Sequence, residues 1–139
     1  MKQFRKTIYA ILISLTLFLA LTAILGGVAL LANLNTPPVS QLGGTPFKDW
    51  TIPGLSLALI VGGSALLAAI LLLRKSKFAP LSTAAAGTII MFFEFVEVLM
   101  IGSPAGIGRT LQIFYFAWGT GIEIFSLGLW FLELLSNPG

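Results

Sequence analysis

Glu94 and Glu97 interrupt an apolar run over 78–101, and Glu123 interrupts another over 111–135. A carboxylate at the centre of a bilayer costs at least about 2.5 kcal/mol on insertion scales, so such a group turns inward, finds a partner or holds a proton. Glu94 and Glu97 are three residues apart and are therefore neighbours on one helical face. Gly87, seven residues before Glu94, shares that face and makes it part small, part acidic. On the later run Gln112, Gly119, Glu123, Ser126 and Trp130 recur on one stripe, while Ala117, Gly121 and Gly128 lie opposite. The spacing predicts that the Gln112–Glu123 stripe faces Glu94 and Glu97. Arg109 is the one cation close to both runs at that end, and it is expected to reach Glu97. Two chemistries fit. One is structural, with an ion pair or protonated acids bonded to hydroxyls and carbonyls. The other is a pocket for a proton, a cation or a polar headgroup, with Glu94, Glu97, Glu123, Arg109, Gln112 and Trp118 as candidates. Two carboxyls on one face can share a single proton, which suits the second.

Other chemistries lack residues. The chain has no cysteine and no histidine, which removes disulfides, thiolate metal sites and thiol catalysis, together with the usual haem ligand and general base. It has no glycine-rich phosphate loop, no metal-ligand cluster and no nucleophile–base pair. No catalytic residue, metal or cofactor is therefore expected.

A second candidate lies between the first two apolar runs. The 33–52 segment is long for a helical hairpin. It contains Pro37-Pro38, Gly43-Gly44 and then Thr45-Pro46-Phe47-Lys48-Asp49-Trp50-Thr51-Ile52-Pro53-Gly54. That last run has the makings of an ordered cap. Phe47 and Trp50 are placed to lie on a membrane surface or plug the top of a bundle, and Asp49 and Thr51 to cap free helix amides. Such a loop anchors and caps, or it covers a ligand cavity.

Four apolar runs must position these groups: 8–32, 55–73, 78–101 and 111–135. Each reaches about 18 residues or more, enough to cross roughly 30 Å of hydrocarbon at 1.5 Å per residue. None alternates in polarity as a membrane strand would, and lipid offers no partner to open backbone. Of the 139 residues 57% are hydrophobic and only 9% charged, against about 25% charged in a soluble domain. The expectation is an all-α, integral membrane four-helix bundle forming one domain over 1–139. Its helices are expected at about 7–32, 53–73, 79–101 and 110–135, with the 33–52 loop outside. The first run is too long for a typical signal-peptide core and ends without a clear small-x-small site, so an uncleaved helix is expected; a cleaved leader would leave three spans.

Lysine and arginine set the expected orientation. Lys2, Arg5, Lys6, Arg74, Lys75 and Lys77 fall on one side, and Lys48 and Arg109 on the other. Positive-inside bias then places the N and C termini and the 74–79 turn in the cytoplasm. Trp50, Phe114, Tyr115 and Trp118 fall near the outer boundary, and Trp130 and Phe131 near the inner one, as an aromatic belt requires. Small residues line helix faces: Thr16, Ala20, Ala23 and Gly27 on the first, Gly54, Ala58, Gly62, Ala65 and Ala69 on the second. Such faces allow close helix packing within the bundle, or contact with another copy.

The Pro46-Phe47-Lys48-Asp49-Trp50-Thr51-Ile52-Pro53-Gly54 run resembles the outer loop of a family of small bacterial four-span proteins, which has Pro-Phe-x-Asp-aromatic-x-x-Pro-Gly before its second helix. Leu111-Gln112-x-x-Tyr115-Phe116 also fits that family's pattern. The resemblance spans most of the chain and implies a fold and a topology, but no activity. In architecture alone the plan is similar to DoxX-like proteins, and likeness of fold is a weak guide to function.

The functional expectation is a non-enzymatic protein of the bacterial inner (plasma) membrane. It would bind a lipophilic ligand or serve as a small subunit of a membrane assembly, with membrane lipids, further copies of itself or a larger complex as partners. Two alternatives are an oligomeric channel or proton/cation pathway through Glu94, Glu97 and Glu123, and a membrane enzyme acting on a lipid or quinone. The cationic segments flank apolar spans, so nucleic-acid binding has no support. With four helices and no inverted repeat, a monomeric secondary transporter is disfavoured.

Overall fold

In a computed structural model, residues 2–34 and 36–136 are described; Asn35 of the long loop and the two chain ends, which the expected orientation concerns, lie outside the described residues. The described chain is all helical. Helix α1 spans Lys2–Leu31, α2 Thr51–Leu73, α3 Ala79–Ile101 and α4 Ile107–Ser136. All four are long and apolar enough to cross a membrane. The expected starts at 7, 53 and 110 move to Lys2, Thr51 and Ile107. Hydropathy marks where lipid-compatible side chains begin, but nothing in residues 2–6 prevents the backbone from coiling earlier. Pro53 lies inside the first turn of α2, where its missing N–H would have had no intrahelical partner.

Successive helices run antiparallel in a ring. Helix α1 packs on α2 and α4, and α3 packs on α2 and α4, while α1 barely touches α3. The small faces of α1 and α2 meet each other. A Cβ built on Gly27 would lie 2.6 Å from both Ala58 Cβ and the Gly54 carbonyl oxygen, and one on Gly62 would lie 2.6 Å from Ile24. Helices α3 and α4 cross as closely at Gly87 and Gly119, where a Cβ on either would sit 3.0 Å from the other's carbonyl oxygen. Gly128 approaches Ile8 of α1, whereas Gly121 has open space around it and Ala117 is exposed.

The core is a narrow column of Leu12, Leu19, Val61, Ala65, Leu72, Ile90, Ile122 and Leu129. The polar residues within it bond to their own helices. Thr16 donates to the Leu12 carbonyl at 2.8 Å, Thr83 to Pro80 at 3.0 Å and Ser126 to Ile122 at 2.6 Å. Outward positions are large and apolar: Leu21, Leu59, Leu67, Phe92, Leu99, Ile124 and Phe131 are all exposed. A bundle with greasy residues on both sides of its helices has a surface suited to lipid rather than water.

At the end carrying the 74–78 turn, Arg5 of α1 bonds Glu133 of α4, forming the one ion pair among the described residues. The other end carries the long loop. Within it, Val39–Leu42 forms a 3₁₀ turn. Leu42 and Trp50 are buried, and the Trp50 indole donates to the Pro37 carbonyl at 2.9 Å.

Candidate functional site

Helix α2 is not uniformly α. Ser56–Val61 is π-helical, flanked by α-helical Thr51–Leu55 and Gly62–Leu73. A π turn fits one extra residue into a turn and widens the helix locally, and such turns are frequent at functional sites. Ser56 and Ile60 of this segment line a cavity of about 470 Å³ between α2 and the outer half of α3. Phe92, Phe93, Val96 and Met100 form the α3 wall, while Leu42, Thr45, Phe47 and Trp50 from the long loop form the roof. Its polar edges are Thr45, Ser56, Thr88 and Glu97. Volume and lining fall in the range of small-molecule sites, which are mostly apolar with a few placed polar groups.

The roof is built by local chemistry. Thr45 donates its hydroxyl to the Leu42 carbonyl at 2.7 Å and accepts the Phe47 amide at 3.2 Å, which folds the chain back over the bundle. Asp49 accepts the Thr51 amide at 3.0 Å. That hydrogen bond stabilises the ionised carboxylate and holds the Asp49 pKa below its ordinary value. Asp49 thus caps α2 as its spacing suggests, although the side chain of Thr51 makes no capping bond. Phe47 and Trp50 face the cavity.

The acids separate into three environments. Glu97 reaches the cavity and accepts a hydrogen bond from Gln112 Nε2 of α4 at 3.1 Å; the same amide nitrogen donates to the Gly102 carbonyl at 3.1 Å. Glu94, one turn earlier, is only 6% exposed and lies between α3 and α4. Glu123 accepts the Thr88 hydroxyl at 2.8 Å in the niche left by Gly87, whose built Cβ would fall 2.7 Å from Glu123 Oε1. The Gln112–Glu123 stripe therefore faces α3, but Glu123 does not join Glu94 and Glu97. Eleven residues separate it from Gln112, which returns it to the same face roughly 16 Å further along the axis.

Two further expectations are corrected. Arg109 does not reach Glu97: its guanidinium holds the Ser103 carbonyl through Nε at 3.2 Å and Nη2 at 2.8 Å. It sits in the first turn of α4, beside a connection whose carbonyls are freed by the end of α3, and those acceptors are nearer. Gln112, one turn deeper, takes the place expected of Arg109. Trp118 is not part of the acid cluster either. Its indole donates to the Leu15 carbonyl of α1 at 3.0 Å, and its ring packs against Phe18 and Phe114. Six residues from Gln112 is about 600° of helical rotation, which turns Trp118 away from α3.

Sequence reasoning passed over Leu42, Thr45, Ser56, Ile60 and the phenylalanines of α3. They have ordinary types in ordinary places, and nothing in the sequence of α2 announces a π turn. Comparison of the chain with protein families, curated proteins and solved structures finds no match.

Proposed function

We propose that this is a multi-pass protein of the bacterial inner membrane, with both termini cytoplasmic, which holds a lipophilic ligand between α2 and α3. The observation that carries this reading is the apolar cavity beneath the folded loop, next to a π-helical turn. Its walls suit a chain or ring, and Glu97, Thr88 and Ser56 along its edge suit one polar end. The loop, tied down through Trp50 and Asp49, acts as a cap that lets a ligand be retained rather than merely dissolved in surrounding lipid. No residue set at the cavity supplies a nucleophile with its base, so the reading is of binding rather than turnover.

Native mass spectrometry of protein extracted from membranes tests it. A retained lipid, quinone or similar apolar mass is expected. Val96→Trp, which fills the cavity wall, should release it, while Leu99→Trp on the exposed side of α3 should not. A protein that carries no ligand, or two variants that behave alike, sinks the reading.

A further inference from the structure

A second recess lies on the other side of α3. It is a groove of about 390 Å³ between the loop-end halves of α3 and α4, lined by Glu94, Phe95, Val98, Ser103, Gln112, Ile113, Phe116 and Ala117. Two buried polar atoms there have no hydrogen-bond partner: Glu94 Oε2 and Gln112 Oε1. Both side chains are only 6% exposed. A buried polar atom left unpaired costs about 1–3 kcal/mol, so two in one groove call for an explanation.

Both unpaired atoms are oxygens able to accept a hydrogen bond. An amide oxygen accepts only, and so does an ionised carboxylate. The donors of Gln112 are committed to Glu97 and to the Gly102 carbonyl, which fixes the amide with its oxygen left over. Arg109, the nearest cation in sequence, is committed to Ser103. Two residues that line the groove thus each hold a buried oxygen without a donor bonded to it. Its rim is apolar, with Phe95, Ile113 and Phe116 exposed on the outside of the bundle.

We propose that this groove binds the primary ammonium head of an amphiphile, with the –NH₃⁺ group donating to Glu94 Oε2 and Gln112 Oε1 and the apolar tail lying along Phe95 and Phe116. An ammonium carries three donors and a positive charge, which matches a carboxylate and an amide oxygen. A bare metal ion would use the acceptors but leave the apolar rim without a role. The groove lies on the other side of α3 from the cavity beneath the loop, and the two share no lining residue, although Glu97 at the cavity edge accepts a bond from Gln112 in the groove. Two sources share the chemistry, a membrane lipid with an ethanolamine head and a free long-chain amine.

The test is native mass spectrometry of delipidated full-length protein titrated with dioleoyl phosphatidylethanolamine, dioleoyl phosphatidylcholine or dodecylamine. Choline has the same charge but no N–H, so phosphatidylethanolamine should be retained at least about tenfold better than phosphatidylcholine. If dodecylamine binds and phosphatidylethanolamine does not, the ammonium site stands and its ligand is a free amine. Glu94→Gln should cut retention of the binding amine about tenfold. Ala117→Phe, at an exposed position on the groove, should block it without disturbing a buried group, and it keeps the test valid should Glu94→Gln fail to fold. Equal retention of the two phospholipids with no binding of dodecylamine overturns the proposal. So does wild-type binding by Ala117→Phe, or sodium adducts with no amphiphile bound. Val96→Trp, which fills the separate cavity, should leave this binding unchanged.

Discussion

Replacing Gly27 by alanine adds one methyl group at the point where α1 and α2 come closest. The new Cβ would lie 2.6 Å from Ala58 Cβ, 2.6 Å from the Gly54 carbonyl oxygen and 2.8 Å from the Ala58 nitrogen. Comfortable carbon contacts begin near 3.5 Å, so the overlap is about 1 Å. None of the three obstructing atoms can rotate aside, because two belong to the backbone and the third is fixed to it. The helices must therefore separate by about 1 Å, and a gap of that size forfeits a quarter to a half of the dispersion energy of each neighbouring contact. The expected loss is about 1–3 kcal/mol, the usual range for overpacking. Gly63 supplies the control, since a Cβ there meets nothing within 4 Å. Gly63→Ala should be neutral or stabilising by up to about 1 kcal/mol, from helix propensity alone. Reversible unfolding in mixed detergent micelles, followed by circular dichroism, reads both. Gly54 is also in the first turn of α2, directly after the loop that roofs the cavity, so Gly27→Ala should weaken ligand retention as well. If Gly27→Ala is as stable as Gly63→Ala, the close approach of α1 and α2 is refuted, and with it the placement of the roof.

Three further outcomes follow from named contacts. Trp50→Phe keeps an aromatic ring in the roof but removes the donor to Pro37, so the loop should lose about 1 kcal/mol of local stability and be cut faster by protease in detergent, with α2 and α3 intact. Asp49 has a folded pKa below its unfolded one, so its capping bond contributes above the unfolded value and is lost as pH falls through the folded value. Trp50 fluorescence should therefore report loosening of the roof on acidification below the ordinary aspartate range, and Asp49→Asn should remove that step; a step unchanged in Asp49→Asn assigns it elsewhere. Arg5 and Glu133 are partly exposed, so their bond is worth at most about 1 kcal/mol, and the exchange Arg5→Glu with Glu133→Arg should recover most of whatever Arg5→Glu alone loses in thermal unfolding.

Helix number and the C-terminal ends of the helices were legible because each rests on local rules. Apolar length selects helix in a lipid-like setting, Gly102 with φ +76° stops α3 at the end of its apolar run, and three-residue spacing puts Glu94 and Glu97 on one face. The facing of the Gln112 stripe toward α3 was legible for the same reason. The partners of individual polar groups were not. Arg109 and Gln112 are one turn apart at the end of α4, and which of them meets Glu97 depends on the course of a turn that frees the Ser103 carbonyl. Trp118 followed its helical phase toward α1, away from the acids.

The sequence alone determined that this chain has four runs apolar enough to span a bilayer, with Glu94, Glu97 and Glu123 and one long loop as the features out of place among them. That information is carried by residue type and by spacing within one helix. Only the tertiary structure decided that the loop roofs an apolar cavity, that the acids divide among three environments, and that Glu94 and Gln112, which line one groove, each leave a buried oxygen unpaired. Those facts depend on a π turn in α2 and on helix rotation, which is set by contacts between helices far apart in the chain.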